Sequence, residues 1–111
     1  MSRDITYLMQ ILDAINKIEQ YTIDGQEDFF ERNIIQDAVM RNIEIIGEIA
    51  KRVSATFKDE HDLIPWRKMA GIRDVLIHDY DSIDMGIVWN VIVNELPLIK
   101  ETLNKILMIS M

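Results

Sequence analysis

Residues 33–53 read NIIQDAVMRNIEIIGEIAKRV, a pattern from which the architecture of this 111-residue chain can be worked out. Apolar side chains recur every three or four residues, a spacing that places them on one side of an α-helix. Gly47 lies inside this helix, where glycine costs roughly 0.5–1 kcal/mol relative to alanine, so we expect it to permit close approach of another helix. The predicted buried stripe is Ile34, Ile35, Ala38, Ile45, Ile46, Ile49 and Val53.

A similar helix is predicted ahead of this one. Ser2 is a capping-type residue and Asp4 places an acid in the first turn, both typical of a helix start. The apolar pattern ends near Tyr21, and Gly25 predicts a turn there. The apolar face of this helix is predicted to comprise Ile5, Leu8, Leu12, Ile15 and Ile18.

Residues 54–63 are polar and mixed in charge, and they predict a loop that holds about one helical turn. His61 lies in this loop, and we expect it to be exposed to solvent. Pro65 then suits the first turn of a third helix, because proline lacks an N–H that would have no partner there.

The last helix is predicted from about Asp84 to Leu107, with Ser82 or Asp81 as its N-cap. Pro97 removes one backbone donor and is expected to kink this helix near Val93. Its apolar face is predicted to comprise Val88, Val91, Ile92, Leu96, Ile99, Leu103 and Ile106.

Four helices without strand signals predict an all-α fold, an antiparallel four-helix bundle with a kinked last helix, as one domain over residues 1–111. The apolar fraction, 49%, is high for a chain in which 28% of residues are charged. Small domains bury a limited share of their surface, so we expect a homodimer to cover the surplus.

The composition narrows the classes of function. The chain has no Cys, no secretory segment and no apolar run near 18 residues, which predicts a cytoplasmic protein without disulfides or membrane spans. Two His and no Cys are poor material for zinc, and no calcium loop is present, so we expect no metal or other cofactor. The net charge of −7 opposes general nucleic-acid binding, so any such binding would rest on a local patch of Arg67, Lys68 and Arg73.

The chemically richest segment is residues 73–80, RDVLIHDY. Arg73 offers a planar cation that matches phosphate oxygens, His78 can move protons near neutral pH, and Tyr80 carries a hydroxyl. At about 100° per residue, Arg73 and Tyr80 lie within roughly 20° of each other, whereas His78 lies about 140° from Arg73. Either the helix opens near His78, or the groups converge across a subunit interface.

Arginine and histidine without a metal suit RNA cleavage, in which the ribose 2′-hydroxyl attacks the adjacent phosphate, histidine transfers protons and arginine stabilises charge. Nearby acids, including Asp79 and Asp84, favour protonated His78 and hence a general acid. The plainer interpretation also stands, because Arg-x4-His occurs by chance and His78 could simply cap a helix end.

The ordered set of motifs resembles the HepT-like branch of the HEPN superfamily. Its Arg-x4-His-x-Tyr signature matches residues 73–80 and follows a Pro-Trp helix start, here Pro65-Trp66. The likeness extends from about Arg3 to Leu107. Further matches are the Gly47-Glu48 pair in the second long helix, and Trp89 and Pro97 in the last helix.

The resemblance implies the toxin of a type VII-like toxin–antitoxin system, a metal-independent endoribonuclease with Arg73 and His78 as catalytic residues in a dimer cleft. It also implies an MntA-type nucleotidyltransferase antitoxin that transfers AMP from ATP to Tyr80. Added charge and bulk there would block the binding of RNA. Supporting or RNA-binding roles are expected for Asp74, Glu48, Arg67 and Lys68.

Two other hypotheses remain open at this point. The chain could be a non-catalytic helical partner that presents Tyr80, or a nucleotide-binding groove, to the nucleotidyltransferase. It could instead be a structural dimer whose motif residues only cap helices and form ion pairs.

Overall fold

The structure is a computed structural model that describes residues 2–78 and 83–110, with side chains described for residues 3–74 and 83–109. Within these residues the chain is helical and contains no strand, which confirms the predicted all-α fold. The elements are α1 (Ser2–Tyr21), α2 (Gln26–Glu31), α3 (Asn33–Arg52), α4 (Ala55–Glu60), α5 (Trp66–His78), α6 (Met85–Asn90), a π-helical turn (Val91–Glu95) and α7 (Leu96–Ser110).

Helix α1 runs antiparallel to α3 and to α7. At its start, Asp4 accepts hydrogen bonds from the backbone N–H and the hydroxyl of Ser54, at 2.9 and 2.7 Å, just beyond the end of α3. At its other end, Glu19 pairs with Lys100 near the start of α7, at 2.7 Å. These contacts hold α1 against both neighbours, and Ser54 also caps α4 by accepting from the Phe57 N–H.

The turn between α1 and α2 is formed as the sequence predicts, with Gly25 at φ +92°, a conformation that favours glycine. The ring of Phe29 in α2 is fully buried and lies 5.3 Å from that of Trp89 in α6, whereas Phe30 is 40% exposed. Helix α2 is therefore fixed to the bundle mainly by one of its two phenylalanines.

Helix α3 packs between α1 and α5, which corrects the predicted single stripe. Ile34 is 71% exposed because it lies outside both contacts. Asn42, a polar residue outside the predicted stripe, is buried, and its Nδ2 donates to the Ala38 carbonyl at 2.9 Å. Because α3 has two apolar neighbours, it buries more positions than one stripe supplies, including Val39, Met40 and Ile43.

The last helix buries every position on its predicted apolar face. The predicted N-cap is wrong, since Asp84 caps the helix by accepting from the Gly86 N–H at 2.7 Å. Near Val93 the backbone departs from α-helical geometry as expected, in the form of a π-helical turn in which the Leu96 N–H donates to Val91 O. Pro97 comes directly after Leu96 and has no N–H, so it cannot donate the i to i−4 hydrogen bond of a regular α-helix at this point.

His61 corrects another prediction, because it is half-buried at the end of α4 and not free in solvent. Its ring lies 4.4 Å from that of Phe57, and its carbonyl accepts from the Trp66 indole at 3.0 Å. The Pro65-Trp66 start of α5 is thereby tied to the preceding segment. Among the described helices, none is both long enough and apolar enough to cross a membrane.

Candidate functional site at the crossing of α3 and α5

Helices α3 and α5 approach each other closely at Gly47. A Cβ at this position would overlap the Cβ of Arg73 and lie 2.8 Å from the backbone oxygen of Met69. No side chain fits without moving α5, so the expectation that Gly47 permits a close helix approach is confirmed. The residue that fills the space is Arg73 itself, so the glycine determines where the arginine side chain begins.

The Arg73 side chain extends from this crossing toward solvent, and 26% of its surface is exposed. Its Nη1 lies 3.5 Å from Oδ1 of Asp74, beyond the usual 2.7–3.2 Å of a strong N–H···O hydrogen bond. Its Nε is buried and has no hydrogen-bond partner among the described residues. The guanidinium is therefore positioned by packing, and the paired carboxylate holds it only loosely.

Asp74 is held more tightly from the other side. Lys51 Nζ lies 2.7 Å from the same Oδ1, in an ion pair that links α3 to α5. The hydrogen bond from Lys51 lowers the pKa of Asp74 below its ordinary value, with a further lowering from the Arg73 charge and a partial opposing effect of desolvation. Asp74 therefore carries its negative charge between two cations.

Lys51 was not among the residues that the motifs singled out. Its signal in the sequence is its spacing, because residues four apart lie on one face of a helix and Lys51 is four residues after Gly47. A lysine in the last turn of α3 is also favoured by the partial negative charge of the helix C-terminus.

The other expected supporting residues do not gather around Arg73. Glu48 pairs with Arg52 on its own helix at 2.9 Å, and Lys68 pairs with Glu95 before α7. Arg67 is exposed in a groove near Pro65. Of the three cations of the expected patch, Arg73 lies at the close approach to α3, whereas Arg67 and Lys68 line a groove near Pro65.

The remaining motif residues lie at or beyond the end of α5. His78 is its last residue, so the helix is continuous from Arg73 to His78 and the two are about 140° apart around its axis. The His78 side chain and Tyr80 lie outside what the structure describes. Among the described side chains, those of residues 3–74 and 83–109, no group of three or more His, Cys, Asp or Glu is placed to hold a metal ion.

These features define a small helical-bundle protein with one arginine seated at a glycine crossing and presented to solvent beside an Asp–Lys pair. Residues 11–106 match the family described as "Ribonuclease HepT-like". The chain belongs to this family.

Curated proteins of archaea are similar to the chain. It is 43% identical to "Gamma-glutamylcyclotransferase and putative RNase" of Methanocaldococcus jannaschii over 109 aligned residues. The alignment covers 96% of this chain and 49% of that protein. It is 41% identical over 101 residues to "Probable ribonuclease HepT" of Thermococcus cleftensis, covering 90% and 92% of the two chains. The chain thus spans about half the length of the first relative and nearly all of the second. No solved structure matches it.

Proposed function

We propose that the chain is a metal-independent endoribonuclease and the toxin of a toxin–antitoxin pair. The observation that carries the proposal is the seating of Arg73, in a member of the HepT-like family, by a glycine that no other residue can replace without a clash. A guanidinium that is partly exposed and loosely paired is suited to accept a phosphate, because its planar fork donates two parallel hydrogen bonds.

In this mechanism Arg73 binds the scissile phosphate of RNA and stabilises the charge that develops on its oxygens. His78 transfers protons between the ribose 2′-hydroxyl, the phosphate and the leaving 5′-oxygen. The reaction needs no metal, because the nucleophile belongs to the substrate and the protein supplies charge and proton transfer.

A homodimer is part of the proposal. Arg73 and His78 are about 140° apart on one continuous helix, so a single copy of α5 does not direct both side chains at one phosphate. Two copies of α5 that face each other would bring Arg73 of one subunit toward His78 of the other. Arg67 and Lys68 would contact the RNA around the cleft.

The cleavage assay uses purified chain, a fluorescent single-stranded RNA and EDTA in the buffer. Arg73→Ala and His78→Ala are each expected to lower the rate about 10²- to 10⁴-fold. The matched control is Arg41→Ala, which removes an arginine from the exposed surface of α3, where it pairs with Glu44. RNA with 2′-O-methyl groups throughout should resist cleavage, and unchanged rates in both Ala variants would refute the catalytic assignment.

Regulation by modification is the second part of the proposal. An MntA-type nucleotidyltransferase would transfer AMP from ATP to Tyr80, and the added negative charge seven residues from Arg73 would repel RNA phosphate. Intact mass after incubation with ATP and that partner should rise in the wild-type chain and in Tyr21→Phe, which removes an exposed tyrosine of α1. Tyr80→Phe should show no gain, and an equal gain in that variant would place the acceptor elsewhere.

A non-catalytic role as the binding partner of a nucleotidyltransferase is the second candidate. It is favoured by the net charge of −7 and by the ion pair that engages Lys68. Modification of Tyr80 together with no cleavage of RNA by the unmodified chain would select this candidate.

A further inference from the structure

Asp74 lies where it could disable Arg73. Its carboxylate is on the neighbouring residue, and an exposed carboxylate that closes onto a guanidinium occupies the donors that a phosphate would use. The Arg73–Asp74 distance of 3.5 Å shows that this closure has not occurred. Adjacent side chains on a helix point about 100° apart, which separates the two groups, and a contact from α3 also holds the carboxylate.

Lys51 is that contact. Its Nζ is 2.7 Å from Asp74 Oδ1, against 3.5 Å for the Arg73 donor to the same oxygen. The shorter distance lies within the range of a strong charge-assisted hydrogen bond, and the longer one lies outside it. Lys51 and Arg73 therefore share this oxygen unequally, and Lys51 makes the stronger contact.

The position of the lysine is fixed by the same crossing that seats the arginine. Gly47 and Lys51 are one turn apart on the face of α3 that meets α5, while Arg73 and Asp74 are adjacent on α5. Close approach at Gly47 thus brings Arg73 into the crossing and places Asp74 within reach of Lys51.

We propose, on the basis of the ribonuclease function proposed above, that Lys51 is a positioning residue: by holding the Asp74 carboxylate it keeps the Arg73 guanidinium free for an RNA phosphate. Lys51 does not touch the substrate in this scheme. Removal of Lys51 lets Asp74 close onto Arg73, so the loss of phosphate affinity comes from the freed carboxylate.

The test is a double-mutant cycle measured by binding and by cleavage. The binding probe is a labelled single-stranded oligonucleotide with hydrogen in place of every 2′-hydroxyl, which retains the phosphates and cannot be cleaved. Lys51→Met should weaken binding of the probe roughly fivefold, because the Arg73–Asp74 ion pair that then forms is partly exposed and takes the place of the phosphate.

Lys51→Met combined with Asp74→Asn should return the affinity to within about twofold of wild type. Lys51→Arg should retain wild-type affinity. Asp74→Asn alone is the fourth measurement that the cycle requires.

Lys100→Met is the matched control, because Lys100 also forms a lysine–carboxylate pair of 2.7 Å between two helices, with Glu19. It removes the same charge away from the site. If Lys51→Met behaves like this control, the inference is overturned. If the double variant binds as weakly as Lys51→Met, Lys51 contacts the phosphate itself and the positioning role is equally refuted.

Binding and cleavage separate this inference from the proposed function. A wild-type chain that binds the probe but does not cleave RNA would refute the ribonuclease proposal, while the binding cycle would still decide the role of Lys51. A wild-type chain that cleaves RNA, with no rescue by Asp74→Asn, would remove the Lys51 inference alone.

Discussion

Helix α3 meets its two neighbours in different ways. Toward α1, the bundle is filled by large aliphatic side chains, and Leu8, Ile11, Ile15 and Ile18 of α1 are fully buried. Toward α5, the point of closest approach at Gly47 has no side chain on α3, and a charged arginine of α5 occupies that space. The α1–α3 contact stabilises the fold through burial of apolar area. The α3–α5 contact has no side chain at Gly47, and the absence of one allows the Arg73 guanidinium to lie at the surface.

The largest stability effect is expected on the α1 side. Leu8→Ala removes a fully buried side chain and should lower the free energy of unfolding by about 2–5 kcal/mol, through lost burial and a residual cavity. Met9→Ala, one residue along and 50% exposed, should stay within roughly 0.5 kcal/mol of wild type. Urea denaturation followed by circular dichroism measures both. Equal effects would contradict the assignment of the core to this face of α1.

Gly47→Ala should have a smaller effect on stability and a larger one on function. Overpacking against Arg73 and Met69 O should cost about 1–3 kcal/mol, and the displaced arginine should lower the rate of RNA cleavage measured well below the melting temperature. The control is Gly71→Ala in α5, where an added Cβ meets nothing within 4 Å, and which should stabilise the helix by up to about 1 kcal/mol. Wild-type cleavage by Gly47→Ala would show that the close approach is not needed to seat the arginine.

The smallest of the three effects concerns Asp4 at the start of α1. Hydrogen bonds from the backbone and then the hydroxyl of Ser54 lower the pKa of Asp4 below its ordinary value of 3.8, although desolvation opposes them. Asp4→Asn should cost about 1 kcal/mol at neutral pH. Because the folded-state pKa is lowered, the contribution of Asp4 is present in full above the unfolded value and is lost as the pH falls through the folded value.

The difference in stability between wild type and Asp4→Asn should therefore be constant above about pH 5 and shrink below pH 3.8. Thermal melts at several pH values measure it. Asp13→Asn is the control, since Asp13 is exposed and pairs along α1 with Lys17, at 3.3 Å. A difference that grows on acidification would mean that the carboxylate of Asp4 does not stabilise the fold.

The apolar spacing of residues 33–53 predicted α3 to within one residue of its end, because a period of three to four residues reflects helix geometry directly. The same spacing failed at Ile34, since periodicity shows that a helix has an apolar side but not where each neighbour ends. It also missed Ile43, because a helix between two partners has two buried sides. The prediction for His61 failed because the ring of Phe57, four residues earlier, packs against it. That spacing brings two side chains together only in a helix, and residues 54–63 were predicted to be mainly a loop.

The candidate site was only partly readable in the sequence. The motif of residues 73–80 identified Arg73, and the cost of a glycine inside a helix identified Gly47 as a point of close approach. Neither pattern indicated that Arg73 and Gly47 contact each other. Residues 26 positions apart become neighbours only when α3 and α5 cross, and the sequence contains no direct record of which turns meet.

By itself, the sequence determined the four long helical segments, the turn at Gly25, the burial of the last helix and the arginine of interest, because each follows from local geometry or local chemistry. The tertiary structure alone decided which cation the Asp74 carboxylate holds. That choice depends on a difference between 2.7 and 3.5 Å, set by the crossing of two helices, and charges without distances do not determine it.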